Sequence, residues 1–161
     1  MTTLDARAQA HPCWRRDGFE VSTDPARLDR AFIHRELAAT YWAAGRSRAA
    51  QDKANDHSIC FGVYPADGRQ VGFARLVTDR ATFAYLADVF IVESERGKGL
   101  GVWLNECVVA HPELQGLRRW ILATKSAHGL YEKMGWKRLT APERFMERFS
   151  PNPLEKGAAA A

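Results

Sequence analysis

The residues best arranged for chemistry form the stretch Glu93-Ser94-Glu95-Arg96-Gly97-Lys98-Gly99-Leu100-Gly101. Glycine at alternate positions 97, 99 and 101 removes the Cβ atoms that would hold a ligand off the backbone. Consecutive amide N–H groups at the start of a helix form an anion site, which the helix dipole strengthens. Arg96 and Lys98 add full positive charge to the same turn. A phosphate or pyrophosphate is the ligand such a turn suits. It is not a P-loop, because Lys98 is followed by Gly99 where that motif needs Ser or Thr. Nor is it a dinucleotide fingerprint, since no third glycine completes the spacing after Gly97 and Gly99. On spacing alone, a basic loop that merely opens a helix accounts for the same residues.

The turn needs a strand before it and a helix after it, and the sequence supplies both. Residues 81–92 are a long apolar, β-prone run, and residues 100–110 place Leu100, Leu104, Cys107 and Val108 on one helical face. Upstream, Phe19, Val21 and Thr23 alternate with polar residues as a short strand, while the first 17 residues show little periodicity. Asp24-Pro25 opens a helix of about five turns that Gly45 ends. Residues 46–56 are polar and read as a short helix or a loop. Strands are expected over 58–64 and 70–77, joined by Pro65-Ala66-Asp67-Gly68 as turn chemistry. Beyond the glycine turn come a short strand at 120–123, a helix from Ser126 to Lys133, and strands at 136–139 and 145–149. Hairpin-length links make the middle strands antiparallel, and the later strand–helix–strand links suggest parallel pairing. The expected architecture is α/β: a mixed sheet with helices on both faces.

Length and composition fit one such domain. The chain has 161 residues, with a core expected over about 19–149 and peripheral or frayed segments at 1–17 and 151–161. Its net charge of +4 suits an anionic small molecule better than a nucleic acid, which calls for a concentrated basic helix or patch. Cys13, Cys60 and Cys107 form no CxxC pair, and His11, His57 and His111 make no metal set. The N-terminus lacks an apolar signal core and no stretch is apolar enough to span a bilayer, so a cytoplasmic protein without membrane contact is expected.

Arg96-x-x-Gly99-x-Gly101, between its strand and helix, resembles the Arg/Gln-x-x-Gly-x-Gly/Ala pyrophosphate loop of the GNAT superfamily of N-acetyltransferases. About thirty residues on, Ala127-His128-Gly129-Leu130-Tyr131-Glu132-Lys133-Met134-Gly135-Trp136 is similar to that family's A-x-x-x-Tyr-Glu-Lys-x-Gly-Phe segment. The resemblance spans roughly residues 58–149. It implies a GNAT-like fold in which two central parallel strands splay apart and acetyl-CoA lies in the gap. Backbone groups of the family's fourth strand, here around Phe90, Ile91 and Val92, would pair with the pantetheine arm. Arg96, Gly97, Lys98, Gly99, Leu100 and Gly101 would then hold the pyrophosphate. Thr124 stands where the family often has Asn, a weaker hydrogen-bonding match to the pantetheine.

The implied reaction is direct transfer of an acetyl group from acetyl-CoA to a primary amine in a ternary complex, without metal. A lysine-like amine must lose a proton first, which costs about 4.6 kcal/mol at pH 7. By the resemblance, Tyr131 is the acid that protonates the leaving thiolate. A strand N–H freed by a bulge near Phe90 would stabilise the oxyanion. Asp88, inside the apolar run, is either the catalytic base facing the acceptor cleft or a structurally partnered carboxylate. Tyr85 is a candidate for the cleft wall. Glu36 and His34 are candidates for the acceptor side or else a solvated helix face. A small-molecule amine is the expected acceptor, and a homodimer fits the family's habits. The competing reading is a CoA-binding regulatory module without turnover.

Overall fold

The structure is a computed structural model that describes residues 11–151. The expectations for residues 1–10 and 152–161 lie outside the described residues. The described residues fall into two compact units that divide between Ala127 and His128.

The first unit carries a six-stranded sheet in the order β1-β2-β3-β4-β5-β6. The strands are β1 (Cys13–Arg16), β2 (Phe19–Ser22), β3 (Ile59–Pro65), β4 (Gly72–Thr78), β5 (Phe83–Ile91) and β6 (Arg119–Leu122). All neighbours pair antiparallel except β5 and β6, which are parallel. Its helices are α1 (Arg30–Ala38), α2 (Arg48–Asp56) and α3 (Leu100–Val109). This is the mixed α/β architecture expected from the sequence.

Strand alternation sorts the core into two layers. Cys60 of β3 and Phe73 of β4 join Phe32, Ile33 and Leu37 of α1 in one cluster, with Phe90 of β5 packed against it. Phe61, the next residue after Cys60, points to the opposite face, where it stacks with Trp14 at 6.2 Å and meets His111 edge-on at 5.9 Å. On α3, Leu100, Trp103, Leu104, Cys107 and Val108 are buried at helical spacing. Each large side chain so buried contributes about 1.5–3 kcal/mol relative to exposure.

Two differences from the sequence expectation, and one alternative now decided, have local causes. Strand β1 falls in the segment that shows little periodicity. Asp17 (φ 50°) and Gly18 (φ 78°) form the two-residue turn that pairs β1 with β2, a geometry natural to Asp-Gly. The single five-turn helix is instead a 3-10 turn at Pro25–Arg27 followed by α1. Leu28 is extended there, and Asp29 starts the helix again, its Oδ1 accepting from Phe32 N at 2.9 Å. Residues 46–56 do form a helix over Arg48–Asp56, capped by Ser47 Oγ accepting from Ala50 N at 3.1 Å.

The second unit contains α4 (His128–Lys133), which Gly135 follows with φ 91°. No strand occurs among the described residues 136–151, so the expected strands at 136–139 and 145–149 are corrected to irregular backbone around a 3-10 turn at Pro142–Arg144. Met146 is 98% and Phe149 79% exposed, so the alternation of these residues is not matched by burial.

Candidate active site

Asp88 stands where β4 and β5 slip out of register. Arg75 pairs with Ala87 and Phe73 with Phe90, so Asp88 and Val89 together oppose Ala74 in a bulge of β5. Asp88 adopts φ 54°, a left-handed conformation that Asp tolerates better than most residues. Its buried carboxylate accepts through Oδ2 from Arg75 Nε and from Arg46 Nη1, both at 2.8 Å. Burial alone would raise this carboxyl's pKa, but the charge of Arg75 and hydrogen bonds from both guanidiniums bring it below the usual range. Of the two readings of Asp88, the geometry supplies the partners that the structural one requires.

The parallel ladder between β5 and β6 runs from Phe83↔Arg119 to Leu86↔Leu122 and ends there, while β5 continues through the bulge to Ile91. Phe90, Ile91 and Val92 therefore lie beyond the last rung. Arg96 Nε donates to the Ile91 carbonyl at 3.0 Å, so this side chain is folded against the strand end.

After β5, a 3-10 turn at Glu93–Glu95 leads into the glycine stretch. Gly97 and Gly99 take φ 78° and 75°, conformations that favour glycine. Gly99 is the N-cap of α3 and provides no side-chain cap, so the first-turn amides depend on another acceptor. A Cβ at Gly97 would meet nothing within 4 Å. Lys98 Nζ donates to Glu95 Oε2 at 2.5 Å, and Arg69 Nη2 donates to Glu95 Oε1 at 2.7 Å. Hydrogen bonding by Lys98, then by Arg69, holds the Glu95 carboxyl below its ordinary range. From the β1–β2 hairpin, Arg16 Nη2 approaches the Gly99 carbonyl at 3.4 Å and its guanidinium lies 4.9 Å from the Trp103 ring centre.

Other candidates from the sequence divide. Tyr85 lies on the half-buried stretch of β5 paired with both β4 and β6. Thr124 Oγ1 accepts from Ala127 N at 3.0 Å in the segment after β6. His34 Nε2 donates to the Arg46 carbonyl at 2.9 Å, which fixes the loop carrying Arg46. Glu36 lies 3.6 Å from Arg35 on α1 and is not joined to the Asp88 cluster. In the second unit, the Tyr131 ring meets Trp136 edge-on at 6.0 Å, and the Tyr131 carbonyl accepts from Trp136 N at 3.1 Å. Burial raises the Tyr131 phenol above its ordinary pKa. Burial also pushes the thiols of Cys60 and Cys107 up to about 12, which removes them as nucleophiles at neutral pH. No group of His, Cys, Asp and Glu able to hold a metal occurs among the described residues.

Sequence reasoning missed Arg46, Arg75 and Arg16. Arg75 had a signal: it is a charged residue inside the apolar strand run Phe73-Ala74-Arg75-Leu76, which demands a partner. Arg46 lies 42 positions from Asp88 and had none.

Residues 23–136 match the sequence profile described as the Acetyltransferase (GNAT) family. A candidate acetyltransferase of Gibberella zeae is 33% identical over 147 residues, which cover 77% of this chain and 82% of the fungal one. The crystal structure of a candidate GNAT-family acetyltransferase from Xanthomonas campestris superposes with a TM-score of 0.82 at 48% identity, covering 86% of this chain and 98% of that one. Glucosamine-6-phosphate N-acetyltransferase from Arabidopsis thaliana shares the fold alone, with a TM-score of 0.56 at 15% identity over 86% of this chain and 97% of its own. No helix among the described residues is long and apolar enough to cross a membrane.

Proposed function

The chain belongs to the GNAT family of acetyltransferases, and from that premise we propose that it transfers an acetyl group from acetyl-CoA to the primary amine of a small molecule, directly and in a ternary complex. Both units would make one acetyltransferase domain, since the family match runs from residue 23 in the first unit to residue 136 in the second. The observation that carries this reading is the start of α3, opened by Gly97 and Gly99 and left without a side-chain cap.

The residues present fit a pyrophosphate there. The first-turn amides of α3 seek an acceptor, and the glycines leave the approach clear. Arg96, Gly97, Lys98, Gly99, Leu100 and Gly101 would hold it, with Arg69 and Glu95 fixing the position of Lys98. Acetyl-CoA supplies the activated thioester carbonyl. The end of β5 at Phe90 and Ile91, with Val92 just after it, would align the arm, and Thr124 would offer a further hydrogen bond.

Asp88 acts through the backbone in this reading. Pinned by Arg75 and Arg46, it holds the bulge that would present a strand amide to the developing oxyanion. A carboxylate so paired is a weak proton acceptor, which leaves the amine's proton to water or to a base on the acceptor side. Tyr131 would give its phenolic proton to the leaving sulfur, a role that rests on the Tyr-Glu-Lys-x-Gly motif.

Calorimetric titration of acetyl-CoA and CoA into the wild type and the Arg96→Ala/Lys98→Ala variant tests the reading. Binding to the wild type that weakens about tenfold or more in the variant supports it. Binding without turnover of any amine would favour a regulatory module. No binding by folded wild type would overturn both.

A further inference from the structure

The bulge carries more positive charge than it needs. Asp88 offers one carboxylate to two guanidiniums, Arg46 and Arg75. The surrounding groups do not restore the balance: Arg30 of α1 and Arg48 of α2 pair with Asp52 and Asp56 of α2. One cation is therefore left over at the point where β5 departs from β6.

Arg46 is where that excess meets solvent. Its side chain is 25% exposed, against 12% for Arg75 and 2% for Asp88. Nη1 makes both of its contacts, to Asp88 Oδ2 at 2.8 Å and Gln51 Oε1 at 2.7 Å. The guanidinium has five N–H donors, so donors remain for a bidentate partner such as a carboxylate. His34 holds the Arg46 backbone in place.

The same loop carries an aromatic pair. Tyr41 and Trp42 are 61% and 43% exposed and pack edge-to-face at 5.0 Å. Tyr41 Oη accepts from Lys125 N at 3.1 Å, and Lys125 Nζ lies 5.6 Å from the Tyr41 ring centre. The loop after α1 is thereby tied to the segment that follows β6. Arg46 is bonded to Asp88 at the bulge, and Trp42 and Tyr41 stand four and five positions before it on the same loop. A loop with a spare guanidinium and exposed rings suits an acceptor that carries an anion and an apolar ring.

We infer that the acceptor is an amine bearing its own carboxylate and an aromatic body, the carboxylate pairing with Arg46 and the ring lying against Tyr41 and Trp42. This rests on the acetyltransferase reading above. Transfer joins the neutral amine nitrogen to the acetyl carbon and breaks the carbon–sulfur bond. The proton the nitrogen gives up ends, in net terms, on the sulfur. The carboxylate takes no part in the chemistry; it sets which amine is held.

The test compares amines that differ only in the carboxylate: phenylalanine with 2-phenylethylamine, and tryptophan with tryptamine, with spermidine as a cationic control. Initial rates are taken at saturating acetyl-CoA and corrected for the fraction of neutral amine. The expected kcat/KM is about tenfold or more higher for the carboxylated member of each pair in the wild type. Arg46→Gln brings that ratio to about one, and Arg46→Lys retains part of it. Equal or better turnover of the decarboxylated or cationic amines by the wild type would overturn the inference. So would an Arg46→Gln variant that loses both members of a pair equally. Turnover without carboxylate preference removes this inference alone, whereas failure of acetyl-CoA to bind, or of every amine to react, removes the enzyme reading with it.

Discussion

Arg75 Nε lies 2.8 Å from Asp88 Oδ2 at the point where the β4–β5 ladder loses register. The arginine comes from the regular strand and the aspartate from the bulged one. The contact therefore fixes an irregularity of the backbone, and removing either partner should be felt in the shape of β5.

Asp88→Asn is expected to cost about 3 kcal/mol, the lower end of what breaking a buried ion pair costs. In a domain of this size that lowers Tm by about 10 °C. Because the two arginines depress the Asp88 pKa, its contribution is complete above the unfolded value near 3.9 and is lost only as pH falls through the lower folded value. The difference in Tm between wild type and variant should hold steady from pH 8 to pH 5 and shrink below about pH 4. A difference that already fades between pH 7 and pH 5 would show that the carboxyl is not held in this way.

Substitutions in the glycine turn should separate stability from binding. Gly99→Ala forces a left-handed alanine, at about 1 kcal/mol, and should lower both Tm and CoA affinity. Gly101 lies inside α3 with ordinary φ, and its added Cβ would meet only Ile91 Cγ1 at 3.9 Å. Gly101→Ala should leave Tm equal or higher and CoA binding unchanged, because alanine favours the helix and the resembled loop takes Gly or Ala at this position. Thermal denaturation beside calorimetry checks both; unchanged CoA affinity in Gly99→Ala would argue against a ligand above this turn.

Tyr131→Phe should lower kcat by about 100-fold with little change in acetyl-CoA affinity. Burial raises the phenol's pKa above its ordinary value near 10, so it stays protonated through neutral and mildly basic pH. The wild-type pH–rate profile should therefore show no loss of activity assignable to this tyrosine below pH 10. A Phe variant with full kcat would remove it from the chemistry.

His111 supplies a different pH response. It is 3% exposed, packed against Phe61 and Trp14, and its Nδ1 accepts from Glu113 N at 3.3 Å. Burial lowers its pKa, so the folded state resists the proton that the unfolded chain takes up near pH 6.5. Stability should be flat above about pH 7 and fall as pH drops from 6.5 toward the lower folded value. His111→Phe should flatten that part of the Tm–pH curve, and an unaltered curve would count against it.

What the sequence revealed follows the range of the interactions involved. The glycine turn, the strand before it and α3 after it are written in adjacent residues, and the structure places them as expected. The sequence points to a bulge near Phe90 but leaves Asp88 between two roles, because Arg46 and Arg75 lie 42 and 13 positions away. Asp17-Gly18 announces a hairpin, but the polar residues of β1 mask its alternation. The last two expected strands do not form: Trp136 and Phe145 lend β-propensity to segments that are irregular in the structure.

The hairpin has a practical bearing on how this protein is cut. Family similarity begins at residue 23, and an expression fragment drawn to that limit would discard β1 and β2. Arg16 would no longer reach the Gly99 carbonyl, and Lys98 would lose the Phe19 ring 5.8 Å away. A fragment trimmed to the shared region would keep the glycine turn's sequence while stripping away its flank. Residues before position 23 thus flank the turn proposed to hold the cosubstrate, and they belong in any minimal version of the enzyme.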